Sequence, residues 1–147
     1  MGMYNKGVLG LLESLSKSEI TRIIDMYDSE TVNTANILTK PFRVLTSDMN
    51  KVSRSNFKKK LLDSDVIGEF NKKIMLNPYI FMPRNDSLIK NNQYLVQQTW
   101  RYMFENEKYN DEIIKFAEHI FNYDFSHTDY MKVGSKNSEK IIKKPKK

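Results

Sequence analysis

Apolar positions along this chain recur at helical spacing, then alternate, then return to helical spacing. Ser16 and Glu19 make a Ser-x-x-Glu capping box, in which each side chain takes up a backbone N–H left free at the helix start, and Leu15 and Ile20 flank it as a hydrophobic staple. Ile20, Ile23, Ile24 and Tyr27 then mark one face, which predicts a helix ending near Asp28. Upstream, Val8, Leu9, Leu11 and Leu12 form an apolar patch suited to a short helix. Residues 29–38 are polar and β-branched and read as a loop or short strand. Thr39 offers a cap and Pro41 a first-turn residue. Phe42, Leu45 and Met49 follow at i, i+3 and i+7, predicting a helix over about residues 40–50. After a break at Val52-Ser53, with Ser53 as cap, a third helix is predicted from Arg54 to about Ser64, burying Phe57, Leu61 and Leu62.

The period then changes to two. Residues 66–70 and 73–76 read as paired strands with Asn71-Lys72 at the turn. Asn77-Pro78 ends the ladder, because Pro donates no N–H and restrains its predecessor, and Tyr79, Ile80, Phe81 and Met82 continue as an apolar strap. Two more helices are predicted. One runs from about Ser87 to Glu105, with Leu88, Leu95, Thr99, Tyr102 and Met103 on one side. The other is capped by Asn110, carries Asp111 and Glu112 at its positive dipole end, and turns Ile113, Phe116, Ala117, Ile120 and Phe121 inward.

Composition narrows the class. The chain has 147 residues, 39% hydrophobic, which suits one domain with a modest core. No apolar run approaches the roughly eighteen residues of a membrane span, and residues 8–12 are too short for a secretory signal. The absence of cysteine excludes disulfides and thiolate metal sites. The formal charge of +6 equals that of residues 132–147 alone, with seven lysines and one glutamate. The preceding body is neutral but polarised. Residues 40–73 hold nine basic and four acidic side chains, against net charges of −2 for residues 1–39 and −3 for residues 74–131.

Helix, loop, short helix, break, helix and hairpin is the order of a winged helix-turn-helix, whose last helix enters the DNA major groove while the hairpin touches the backbone. The basic excess falls on those elements. The expected fold is mainly α with a small β-hairpin wing, a winged helix-turn-helix plus C-terminal helices. Its parts are a domain over residues 1–83, a helical extension for dimerisation or docking over 84–131, and a disordered Lys-rich tail over 132–147. Arg54 can donate two parallel hydrogen bonds to guanine. Ser53, Ser55 and Asn56 suit phosphate or base edges near a helix N-terminus. Lys58, Lys59 and Lys60 span about 200° of helix and cannot share one groove, so Lys58 is expected near DNA and Lys59 and Lys60 on flanking phosphates or in solvent. Lys72 and Lys73 would meet phosphate from the wing, while Asp63, Asp65 and Glu69 would face away or pair with lysines.

Residues 39–82 resemble the winged-helix segment of plasmid replication proteins of the RepL type and related phage regulators. The resemblance is carried by Ser53-Arg54-Ser55, Leu61-Leu62-Asp63, Val66-Ile67 and Met75-Leu76-Asn77-Pro78-Tyr79-Ile80-Phe81. It covers about a third of the chain, and the Asn-Pro strand ending is its most specific part. The hairpin departs from the family pattern, with Phe70-Asn71-Lys72-Lys73 in place of a glycine-flanked basic tip. The resemblance implies binding of double-stranded DNA at an origin or promoter, no catalysis, and a cytoplasmic setting in a bacterial cell or phage-infected host. By position it makes Ser53, Arg54, Ser55, Asn56 and Lys58 recognition residues, and Lys72 and Lys73 wing contacts.

His119 and His127, near Asp124 and Asp129, lack the tight i, i+4 spacing of a zinc pair. No phosphate loop or nucleophile motif occurs, and no enzyme, metal or cofactor is expected. Trp100, Tyr102, Phe104, Tyr109, Phe116, Phe121, Tyr123, Phe125 and Tyr130 fall mostly at helical spacing within an acidic segment, which favours core or partner contact over stacking on single-stranded bases. The second functional expectation is a winged-helix docking module in which residues 84–131 grip a polymerase, helicase or other host factor.

Overall fold

A computed structural model describes residues 13–28 and 30–125. The apolar patch at residues 8–12, His127, Asp129, Tyr130 and the Lys-rich tail lie outside the described residues. The described part is mainly helical with one two-stranded antiparallel hairpin. In chain order the elements are α1 (Lys17–Asp28), α2 (Phe42–Leu45), α3 (Lys51–Asp63), β1 (Ile67–Phe70), β2 (Lys73–Leu76), α4 (Asn92–Phe104) and α5 (Asp111–Phe121).

The capping box of α1 forms as its sequence predicts. The Glu19 amide donates to Ser16 Oγ at 3.2 Å, and the Ser16 amide to Glu19 Oε1 at 2.9 Å. Partial burial pushes the Glu19 carboxyl up, but the Ser16 amide and Lys60 outweigh it and hold the group below its ordinary range. The helix ends at Asp28, burying Ile23, Met26 and Tyr27.

The second and third helices depart from expectation. Thr39 does not cap α2; its hydroxyl donates to the Thr31 carbonyl. The helix is one turn long because Thr46 closes it, both its amide and its hydroxyl donating to the Phe42 carbonyl. The chain then turns through residues 46–50, and α3 starts earlier than predicted. Its cap is Asn50, whose Oδ1 accepts from the Ser53 amide at 2.8 Å. Asn caps as well as Ser, so Lys51, Val52 and Ser53 lie in the first turn rather than in a break. At the far end the Asp65 amide donates to the Leu62 carbonyl and the Val66 amide to that of Leu61. With Asp65 at φ 57°, this is a Schellman closure, and the buried Val66 and Leu61 make the apolar contact that goes with it. It delivers the chain straight into β1.

The hairpin register is Ile67–Leu76, Gly68–Met75, Glu69–Ile74 and Phe70–Lys73. Asn71 (φ 54°) and Lys72 (φ 63°) form a two-residue loop with both residues left-handed, the type I′ geometry that matches strand twist. Successive side chains point to opposite faces. Ile67, Ile74 and Leu76 join a core with Ile23, Phe57, Leu61, Ile80 and Phe81. Phe70 and Met75 join a second core with Trp100, Met103, Ala117 and Phe121. The hairpin is thus the middle layer between α1–α3 and α4–α5, and residues 84–125 pack directly against it. Within the segment 29–38, expected as loop or strand, residues 30–38 supply both: Ile37 bridges Met75 on the open edge of β2, and Leu38 donates to the Ile74 carbonyl at 2.9 Å.

The last two helices seat the second core. α4 begins at Asn92, five residues later than predicted. Asp86 turns the chain by accepting the Leu88 amide, and Asn91 is left-handed at φ 58°. Leu88 consequently lies outside the helix, 92% exposed, instead of on its apolar face. α5 is capped by Asn110, as expected. Its Phe121 meets Phe70 edge-on at 5.4 Å between centroids.

Gly68 is where the layers come closest. A Cβ there would stand 2.7 Å from the Phe104 ring. Gly68→Ala is expected to lower the unfolding free energy by about 1–3 kcal/mol, read by urea denaturation, and Gly68→Ala combined with Phe104→Leu to recover part of the loss. An unchanged midpoint for the single variant would mean that the α4–hairpin contact is loose.

Candidate nucleic-acid interface

The turn before α3 is clamped by two arginines. Arg22 of α1 donates from Nη1 and Nη2 to the two Asp48 carboxylate oxygens at 2.9 and 2.8 Å. Arg54 reaches back from α3, Nε to Thr46 Oγ1 and Nη2 to the Met49 carbonyl, both at 3.0 Å. Arg54 is the residue expected to read guanine. Its side chain is half-buried and its fork is engaged with the turn that positions α3. Removing it would take two hydrogen bonds from that turn.

The lysines of α3 diverge as the helical period requires. Lys58 pairs with Glu69 of β1 at 2.7 Å, and Lys60 with Glu19 of α1 at 3.2 Å. Lys59 is exposed, with no carboxylate in ion-pair range among the described residues. Ser53, Ser55 and Asn56 are exposed on the same helix. At the hairpin tip Asn71 and Lys72 are exposed, and Lys73 is half-buried. The tip is anchored from behind, since Asn71 Nδ2 donates to the Phe121 carbonyl at 3.1 Å.

Arg54, Ser55, Lys58, Glu69 and Lys72 border a cleft of about 320 Å³ between α2, α3 and the hairpin. Its rim carries Arg43, Lys51, Arg54, Ser55, Lys58 and Lys72, opposed by the single carboxylate of Glu69, over a floor of Pro41, Phe42 and Ile74. A second hollow alongside is lined by Lys40, Lys72 and Lys73. No protein-family model, curated protein or solved structure matches this chain.

Arg43, Lys51, Val52 and Lys40 were not singled out in the sequence. Lys51 and Val52 were legible in principle, because recognising Asn50 as the cap would have put them in the first turn of α3. Arg43 and Lys40 carried no local signal, and only the folding of α2 against the hairpin brings them to the rim. Elsewhere the sequence candidates disperse. His119 is exposed, and among the described residues no group of three or more His, Cys, Asp or Glu could hold a metal. Trp100, Phe116, Phe121 and Phe125 are buried, and Tyr102, Phe104, Tyr109 and Tyr123 are half-buried against them. Those aromatic faces are taken up by core packing. Among the described residues no helix is long and apolar enough to cross a membrane.

Two outcomes test this geometry. The Arg22 guanidinium holds the Asp48 carboxyl below its ordinary value of 3.8. A carboxyl depressed on folding adds stability above its unfolded pKa and loses it as the pH falls through the lower folded value. Asp48→Asn should therefore melt below wild type at neutral pH, and the gap should close in acid well below pH 3.8; a gap independent of pH would remove the ion pair as its cause. At the tip, Lys72 occupies a left-handed conformation that costs a residue with a Cβ roughly 1 kcal/mol. Lys72→Gly should raise unfolding stability by about that amount, measured in urea, and a loss of stability would contradict the type I′ turn.

Proposed function

We propose that this protein binds double-stranded DNA through the face formed by α3 and the hairpin tip, as a replication initiator or transcriptional regulator of a plasmid or phage. The observation that carries the reading is the basic cleft. Five cationic side chains from three elements converge beside an exposed helix, with one carboxylate among them. Phosphate contacts fix register and orientation, and the exposed side of the helix remains for base edges. Lys51, Lys58, Lys72 and Arg43 suit the backbone on one flank, and Lys40 and Lys73 extend that flank past the tip. Ser55, Asn56 and Lys59 are free to face the groove, while Ser53 lies about 160° around the helix from Ser55 and is left to a flanking phosphate. The winged-helix resemblance of residues 39–82 points the same way and supplies the replication or regulatory setting.

Glu69 acts against binding in this arrangement, because it neutralises Lys58 and repels phosphate. Fluorescence anisotropy with a duplex pool at low salt tests the scheme. Wild type should bind, Lys72→Gly should bind more weakly and lower the salt slope by about one unit, and Glu69→Gln should bind roughly two- to fivefold more tightly. The opposed signs matter because Lys72→Gly weakens binding while leaving the fold at least as stable. Undetectable duplex binding at low salt would sink the proposal.

A docking role for the C-terminal part is the second reading, favoured by the exposure of Leu88 (92%) and Tyr94 (52%) where the chain enters α4. Truncation at residue 83 cannot test it, because that would uncover Phe70 and Met75. Leu88→Ser combined with Tyr94→Ser leaves the cores intact. If that variant keeps every partner that wild type captures in a pull-down, a docking site at the entry to α4 is excluded.

A further inference from the structure

We infer that the outward stripe of α3 reads A·T base pairs in the major groove, with the Asn56 amide on an adenine edge and the Val52 side chain against a thymine methyl. This rests on the DNA-binding reading above and adds the identity of the bases. It starts from a residue that folding does not explain. Val52 is 70% exposed, although it stands in a helix whose core contacts are made by Phe57 and Leu61 from the other side. A lone exposed apolar side chain is ordinary, but the neighbours of this one give it a role.

Val52, Ser55, Asn56 and Lys59 follow at i, i+3, i+4 and i+7, so they share one stripe, and all four are exposed. Asp63 continues the stripe one turn further on and is its first carboxylate. A phosphate-lined groove would repel a carboxylate, so the C-terminal end of α3 is the end that leaves the DNA. The N-terminal end then enters it, which is how the reading helix of a helix-turn-helix meets base edges. The Asn50 cap places Val52 in that first turn. The cations of Lys51 and Lys58 flank the stripe on the cleft side, so the apolar group sits beside a surface complementary to phosphate.

The chemistry of the stripe selects the base pair. A side-chain amide offers one acceptor and one donor group side by side, which matches adenine N6–H and N7; guanine presents two acceptors there and leaves one of them unmatched. A branched apolar group in the major groove has one apolar partner, the C5-methyl of thymine. Val52 and Asn56 are one turn apart, about 6 Å along the axis, so they meet neighbouring or next-neighbouring base pairs.

Selection of duplexes from a randomised pool by the full-length chain, followed by anisotropy on the selected site, decides the matter. The selected core should contain A·T pairs. Replacing its thymine by uracil, which removes only the methyl group, should weaken wild type several-fold and leave Val52→Ala unaffected. Replacing the adenine pair by G·C should weaken wild type by roughly 5- to 150-fold and Asn56→Ala hardly at all. Both side chains are exposed, and circular dichroism checks that the variants fold. A selected core of G·C pairs, no selected core, or unchanged discrimination in both variants would overturn the base assignment while leaving duplex binding in place. Failure of wild type to bind any duplex at low salt would overturn the DNA reading and this inference together.

Discussion

Burial of the hairpin on both faces is the constraint on which the rest of the structure depends. A two-stranded ribbon of four-residue strands is marginal by itself in water. Here its alternating side chains enter two different cores, Ile67, Ile74 and Leu76 on one side and Phe70 and Met75 on the other. Gly68 lets the Phe104 ring approach the ribbon where any side chain would hold it off. The edge of β2 is partly covered by Ile37 and Leu38, and the turn is tied to the end of α5 through Asn71. Very little of this hairpin is left to act as a wing. Its tip, with Lys72 at the apex, is the part that reaches solvent.

That arrangement fixes how the basic face is presented. The Schellman closure at Asp65 joins α3 to β1 without slack, and the Lys58–Glu69 pair bridges the same two elements farther along. On the opposite side Arg54 and Arg22 lock the preceding turn. The helix is held at both ends and backed by a layer that is itself sandwiched. Such a face offers a rigid surface, and the entropy of ordering it has already been met in folding. Charge is then tuned within a fixed geometry. Glu69 stands among the cations, and whether Lys58 is engaged with it or with an outside anion becomes a local competition and not a rearrangement.

The sequence alone was a good guide wherever the determining interaction was local. The capping box of α1, the Asn110 cap of α5, the limits of the hairpin and its Asn71-Lys72 turn follow from residues within a few positions of one another. The Asn-Pro ending follows too, because Asn77 and Pro78 act on their own neighbourhood: the Tyr79 amide turns onto Asn77 Oδ1. The misplacements share one cause. Thr39, Ser53 and Ser87 each looked like a helix start, but Thr39 is bonded across a loop, Asn50 caps the helix assigned to Ser53, and the Asp86 turn with a left-handed Asn91 delays the helix expected at Ser87. Several capping residues competed in each stretch, and which one wins depends on where the flanking apolar groups are buried.

Local pattern therefore determined that this chain is helical with one hairpin, and charge pattern determined that the basic excess of the body, residues 1–131, lies on residues 40–73. Tertiary structure alone decided what those cations do. Arg54, expected from the sequence to read bases, is held against the preceding turn by Thr46 and Met49. Lys58 and Lys60 acquired partners eleven residues downstream and forty-one upstream. Val52, Asn56 and Lys59 were left outward by the rotation of a helix that starts one turn earlier than its sequence suggested. Periodicity can state which residues share a face, but only packing against distant parts of the chain determines whether that face looks inward, because burial is a property of the assembled layers and not of the segment.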